Sequence, residues 1–299
     1  MKNAQLAGHL AGAGAYAIFG LNIIICKDIA LADVISPIAL FTLRAAGAST
    51  LFWLLSLLLP KEKMPLSDIL KTGLASFLGL FVPQLTFLSA IRITTSIDTA
   101  LFTSLTPIWT MFVAAIFLRE PISWKKVSGV ALSFTGAIIL IFNSVHEGGA
   151  STTSPLGLAL LLLNTLSFAL YLGIFRPLIS RYSVVTFMKW SFLWSLAISI
   201  PLSVKDLLHT DFAAISPQIG AEIGFLIVFA TCIAYFLIPF AQKRIRPTIV
   251  SLYSYLQPLI ACAVSVMIGM DVFTWQKAVS TLCVFAGVWL VNKSRAAAR

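Results

Sequence analysis

The sequence predicts an all-α integral membrane protein of ten transmembrane helices, built as two five-helix copies that enter the membrane from opposite faces. Three observations predict it: a composition too apolar for water, ten apolar runs of membrane-crossing length, and an internal repeat at a spacing of 151 residues. Of the 299 residues, 59% are hydrophobic and 11% are charged. A soluble domain carries about 25% charged residues, so this chain cannot cover a water-facing surface and its solvent is lipid. The net charge of +10 would suggest nucleic acid in a soluble protein. Here the basic residues are scattered among loops, so they read as topology signals and no nucleic-acid partner is expected.

A helix needs roughly 20 apolar residues to cross the hydrocarbon core. Runs of that kind fall at 6–26, 36–59, 69–90, 96–118, 126–143, 156–175, 184–204, 219–241, 248–268 and 274–292. The first run is too long for the core of a signal peptide and lacks a small-residue cleavage site, so it reads as a membrane helix. The connections are short, and even the polar stretches 144–155 and 205–218 leave no room for a soluble domain. On this alternation one face receives 15 Lys and Arg residues and the other receives 4, with Arg44 and Lys189 inside spans. That bias places both termini in the cytoplasm and implies an inner-membrane protein. The four cysteines, Cys26, Cys232, Cys262 and Cys283, lie in or beside apolar runs with no CxxC or Cys/His cluster. They read as packing residues, with no metal, disulfide or cofactor implied.

Between 97–140 and 248–291 the chain aligns with itself without a gap. Leu101 meets Leu252, Leu105 meets Leu256, Pro107 meets Pro258, Trp124 meets Trp275, Lys126 meets Lys277 and Gly136 meets Gly287. Apolar matches are cheap in such a composition, but the Pro, Trp, Lys and Gly matches in one register are not. A weaker echo pairs Tyr16-Ala17-Ile18-Phe19 with Phe168-Ala169-Leu170-Tyr171. The expected organisation is therefore a first copy at 1–143, an extracytoplasmic loop at 144–155, a second copy at 156–292 and a cytoplasmic basic tail at 293–299. Five helices is an odd number, so the second copy is inverted. Inverted repeats are the architecture that lets one central site open to either side.

At these residues a family resemblance emerges. Leu105-Thr106-Pro107 through Leu118-Arg119-Glu120-Pro121, with Gly129 and Gly136, resembles the EamA signature of the drug/metabolite transporter superfamily. Gln257-Pro258 through Asp271, Trp275 and Gly287 resembles its second unit, and Phe19-Gly20-Leu21-Asn22 with Lys27 and Arg44 fits the first. The resemblance covers nearly the whole chain. It implies ten helices, both termini inside, a central cavity between two halves, alternating access, and export or exchange of metabolites. The second copy departs from the first at Asp271, against Glu120, and at Ser280, against Gly129.

Arg44 is the most informative residue. It lies about eight residues, hence roughly 12 Å, inside the second span. A charge there costs at least a few kcal/mol if it faces lipid, so it either snorkels, pairs structurally, or meets an anionic part of a substrate. Lys189 lies near the end of its span, where snorkelling suits it. Asp98 is either a helix cap or a carboxylate for an amine or a proton, with Arg44 as a candidate ion-pair partner. Its shallow position favours a carrier without obligatory proton coupling. Thr99, Thr103 and Thr106 share one helix face, matched in the second copy by Ser251, Ser254 and Pro258, with Tyr255 and Gln257 nearby. Such hydroxyls either back-bond to carbonyls or line a cavity. Asn22, Gln84, Asn164, Tyr171 and Tyr235 are polar groups within spans that need partners. Trp190 suits an interface, whereas Trp194 is deep enough for an aromatic cavity wall. The substrate-site candidates are thus Asn22, Arg44, Gln84, Asp98, Thr99, Thr103, Tyr171, Trp190, Trp194, Tyr235, Ser254 and Tyr255, with Pro107 and Pro258 as kinks or hinges. Glu120 and Asp271 read as structural charges at helix corners.

No catalytic signature emerges: His9, His146 and His209 are far apart, and neither a P-loop nor a GxSxG motif is present. The expected function is secondary-active or facilitative transport, with export of a small metabolite such as an amino acid. Its partners are then a small-molecule substrate and the lipid bilayer. A membrane-embedded lipid-modifying enzyme or a non-transporting membrane subunit is the alternative; the former would need clustered acids or histidines, which the sequence lacks.

Overall fold

The computed structural model describes residues 2–94, 99, 102–143, 154–267 and 275–294. Its principal helices are α1 (Lys2–Ala32), α2 (Pro37–Leu57), α3 (Leu66–Ala90), α4 (Thr106–Leu118), α5 (Trp124–Asn143), α6 (Pro155–Ile174), α7 (Val184–His209), α8 (Pro217–Gln242), α9 (Leu256–Met267) and α10 (Trp275–Asn292). No strand occurs among the described residues. Helix starts follow local chemistry. Ser36, Ser183 and Ser216 each accept a backbone N–H three residues on, at 3.2, 3.1 and 3.3 Å. Pro37 and Pro217 then occupy the first turn, where no N–H is missed.

Among the described residues six helices are long and apolar enough to cross a membrane: α1, α2 and α3, and their mates α6, α7 and α8. The last two helices of each copy fall short of that measure within the described residues. Large apolar side chains face outward on both kinds, including Leu54, Leu74, Ile116, Phe117, Leu163, Leu202, Phe229, Leu282 and Phe285. Such a continuous apolar exterior is stable only against lipid. The repeat-related Trp124 and Trp275 are exposed at helix starts, as interfacial anchors are.

Packing between helices obeys the repeat. The most extensive contact joins α5 to α10, and the next joins α2 to α7; each is a helix with its own mate. The α3–α6 contact is matched by α8–α1, and α4–α6 by α9–α1. Exchanging each helix with its mate thus maps the contact pattern onto itself, the signature of an approximate two-fold axis. The α5–α10 seam lies on that axis. Ser133 donates to the carbonyl of Val284 at 3.1 Å, and these two residues are 151 apart, so a position bonds its own repeat partner. The close approach requires glycine. A Cβ on Gly287 would lie 2.4 Å from the Gly129 carbonyl and 2.1 Å from the Ser133 hydroxyl. Small residues are what allow membrane helices to pack backbone to backbone.

Both copies also break their helices at matching depths. A π-helical stretch interrupts α3 at Phe77–Phe81 and α8 at Leu226–Ile233. The wide turns leave carbonyls for side-chain donors: Ser167 donates to Leu78 at 2.7 Å, and Thr231 donates to Leu226 at 2.7 Å. π-turns concentrate at functional sites. The spans at 96–118 and 248–268 are likewise not continuous. A turn at Ser104–Leu105 precedes α4, and a 3-10 turn, Tyr253–Tyr255, precedes α9. Pro107 and Pro258 sit just after these breaks. Pro107 cannot donate to the carbonyl of Thr103, and the Thr106 hydroxyl does so instead at 2.9 Å.

Both ends of the chain's helical body lie on one face. Gly8 packs on Arg244 and Ile245, while Arg246 donates to the Val291 and Asn292 carbonyls. This basic face corrects one sequence expectation: Lys126, counted there as a loop charge, is fully buried. Its ammonium donates to Glu120 at 2.8 Å, and the hydroxyl of Thr248 donates to the same oxygen at 3.1 Å. Glu120 is 4% exposed, so it is a structural charge that ties the end of α4 to the helical turn Pro247–Leu252. Nearby, the Ser183 N–H donates to Glu62 at 2.9 Å, which clips the α2–α3 connection to the start of α7. Asp271, the counterpart of Glu120, lies outside the described residues.

Candidate functional site: a polar cavity on the repeat axis

A cavity of about 90 Å³ lies between the two copies. Its wall is built from repeat-equivalent positions. Gln84 of α3 faces it together with Tyr235 of α8, 151 residues on; Thr103 is joined by Ser254, and Thr106 by Gln257. Tyr16 and Phe168, the pair joined by the weaker echo, line it as well. A cavity lined by equivalent residues from both copies sits on their common axis. Phe19, Ile23, Pro83 and Phe87 add an apolar flank, and Asn22 and Asn164 add amides.

Arg44 is the charged residue of this wall. It is 2% exposed. Its Nε donates to the hydroxyl of Thr231 at 2.8 Å, and that hydroxyl donates on to the Leu226 carbonyl across the π-turn. The irregular turn in α8 thus presents the oxygen that orients the guanidinium. No carboxylate among the described residues pairs with Arg44. Two wall groups also lack partners: the Tyr16 hydroxyl and the Ser254 hydroxyl. Buried polar atoms without partners are costly. The aromatic floor is ordered by ring contacts, with Phe19 5.7 Å from Tyr16 and 5.3 Å from Tyr235. Tyr16, Tyr235 and Phe168 belong to a packed core that also contains Phe192, Ile179, Val184, Ile238, Ile245 and Ile249.

Of the sequence candidates, the structure brings Asn22, Arg44, Gln84, Thr103, Tyr235 and Ser254 together in the wall. Others lie elsewhere. Tyr171 is buried against Gly79 of the first π-turn. Tyr255 is fully buried beside the wall rather than in it. Trp194 is spent on structure, donating to the Ile69 carbonyl at 3.0 Å, so it is not a cavity wall. Trp190 meets Trp53 edge-on, and Lys189 rests over the same Trp53 ring at 4.8 Å. The Thr99 hydroxyl bonds that of Thr94 at 2.9 Å. Asp98 lies outside the described residues. Sequence reasoning passed over Tyr16, Phe19, Ile23, Phe87 and Phe168 as site residues; their apolar type gives little contrast within apolar runs, and the echo between 16–19 and 168–171 marked three of them.

Inverted helical copies around a polar cavity define a membrane transporter of the two-repeat kind. The model of the EamA-like transporter family matches residues 6–142 and again 155–293, and the chain belongs to that family. A protein of Archaeoglobus fulgidus named as an uncharacterized transporter is 24% identical over 264 residues, covering 87% of this chain and 90% of the relative. The uncharacterized transporter YetK of Bacillus subtilis is 20% identical over 291 residues, covering 96% and 87%. A protein crystal structure superposes with a TM-score of 0.76 at 15% identity, covering 97% of this chain and 96% of that one. That likeness concerns the fold alone.

Proposed function

We propose that this transporter moves a small metabolite such as an amino acid out of the cell, as a secondary-active or facilitative carrier in the inner membrane. Both termini are cytoplasmic in this reading, because the face that holds them receives 15 of the Lys and Arg residues against 4 opposite. The observation that carries the reading is the cavity on the repeat axis, where equivalent residues of both copies meet around Arg44. A site so placed opens to one face or the other when the copies exchange shapes, which is alternating access by rocking. The prolines and π-turns supply the irregular backbone about which such exchange proceeds.

The test is flux in proteoliposomes loaded with a panel of amino acids and organic acids. Substrate-dependent efflux that Arg44→Ala abolishes, with the variant still monodisperse, is the expected result. Absence of flux across the whole panel, with chemical modification of a lipid instead, would overturn it.

A further inference from the structure

We propose that the recognition element of the cargo is a single carboxylate, bound by Arg44, on a compact apolar body; an ammonium group on the cargo is not required. The inference rests on the transporter reading and names the substrate class for the same cavity. Arg44 is a buried cation that forms no ion pair among the described residues. A buried charge without a partner is among the most expensive arrangements a protein can hold, so the counter-charge comes from what enters the cavity. The described wall contains no Asp or Glu that would receive a cationic cargo. The guanidinium is held through Nε by Thr231, which leaves the two terminal nitrogens as the fork that matches a carboxylate. The amide of Gln84 and the unpartnered hydroxyl of Ser254 offer further donors to the same group or to polar atoms beside it. Phe19, Ile23, Phe87 and Phe168 of the same wall suit a hydrocarbon body.

The probes are a matched set around one skeleton: 4-methylvalerate (carboxylate only), leucine (carboxylate and ammonium), 3-methylbutylamine (ammonium only) and 4-methylvaleramide (neutral), with potassium chloride as the inorganic anion. Binding to the purified full chain is measured by calorimetry. The carboxylate is expected to bind, leucine to bind within a few-fold of it, and the amine and the amide to bind at least about tenfold more weakly. Arg44→Lys keeps the charge but loses the fork, and is expected to weaken 4-methylvalerate about tenfold while leaving the amide unchanged. Should Arg44→Lys not fold, the order within the wild-type series decides. Equal or tighter binding of the amine, failure of 4-methylvalerate to bind at millimolar concentration, or a signal reproduced by chloride alone would overturn the proposal. Binding and flux report separately. Carboxylate binding without flux refutes the transporter reading but not the ligand chemistry, whereas flux of amines without carboxylate binding refutes the ligand chemistry alone.

Discussion

At the α5–α10 seam the two copies meet backbone to backbone, while in the cavity they face each other through side chains. Ser133 bonds the residue 151 positions ahead of it, and Gly129 and Gly287 bring the two backbones together. In the cavity, equivalent positions are again adjacent, but Gln84 faces Tyr235, Thr106 faces Gln257, and the positive charge comes from α2 alone. The difference separates two tasks. Small residues let the backbones hold the halves about a common axis, and larger polar side chains line the cavity beside it. The same contrast holds between buried charges. Lys126 is paired within the protein at 2.8 Å, and Arg44 is not paired among the described residues.

The comparison can be broken first at the paired charge. Glu120→Ala leaves the Lys126 ammonium buried without its partner, and about 3–5 kcal/mol of stability is expected to be lost. Chemical denaturation in detergent measures it. The double variant Glu120→Met with Lys126→Met should recover most of that loss, because replacing a whole buried pair is often neutral. Arg44→Met is expected to cost far less than Glu120→Ala, since it removes a charge with no ion-pair partner among the described residues. Next in size is the seam: Gly287→Leu forces α5 and α10 apart and is expected to cost about 1–3 kcal/mol or more, whereas Gly224→Leu, with open space around its Cα, should cost little. Thr231→Val removes the orienting hydroxyl of Arg44 and is expected to cost about 1 kcal/mol in stability with a few-fold weaker carboxylate binding.

The smallest effect lies at the basic face and depends on pH. Burial pushes the Glu62 carboxyl up, but bonds from the Ser183 N–H, the Thr186 and Ser183 hydroxyls and the nearby Lys243 outweigh it, so it titrates below its ordinary 4.5. A carboxylate with a depressed folded-state value stabilises fully above the unfolded-state value, and the contribution disappears as pH falls through the folded-state value. Glu62→Gln should therefore lower the melting temperature slightly near neutral pH. The difference from wild type should vanish in acid below that range.

Much of this was legible in the amino-acid order, for physical reasons. Lipid demands long apolar runs, so α1, α2, α3 and their mates stand out in composition alone. Prolines, tryptophans and glycines resist substitution at kinks, interfaces and crossings, so Pro107/Pro258, Trp124/Trp275 and Gly136/Gly287 revealed the copies. Arg44 was conspicuous because a charge within hydrocarbon needs a reason. What escaped depends on helix rotation and depth. Trp194 looks like a cavity wall until α7 is turned to place its indole over Ile69. Lys126 looks like a loop charge until the corner at Arg119, with its left-handed backbone (φ 52°), folds Glu120 inward against it. The π-turns leave no mark in composition, since Phe77–Phe81 and Leu226–Ile233 read as ordinary apolar helix.

The most direct measurement uses one reporter in the cavity. Ser254 lines it and its hydroxyl has no partner, so Ser254→Cys, in a chain whose four native cysteines are replaced by serine, changes little else. A membrane-impermeant thiol reagent is applied to one face of sealed vesicles and, in parallel, to the other. Labelling from either face, with saturation from one side abolishing reaction from the other and 4-methylvalerate slowing both, is the result expected of a single cavity with alternating access. Labelling from one face only, with or without the carboxylate, would contradict it.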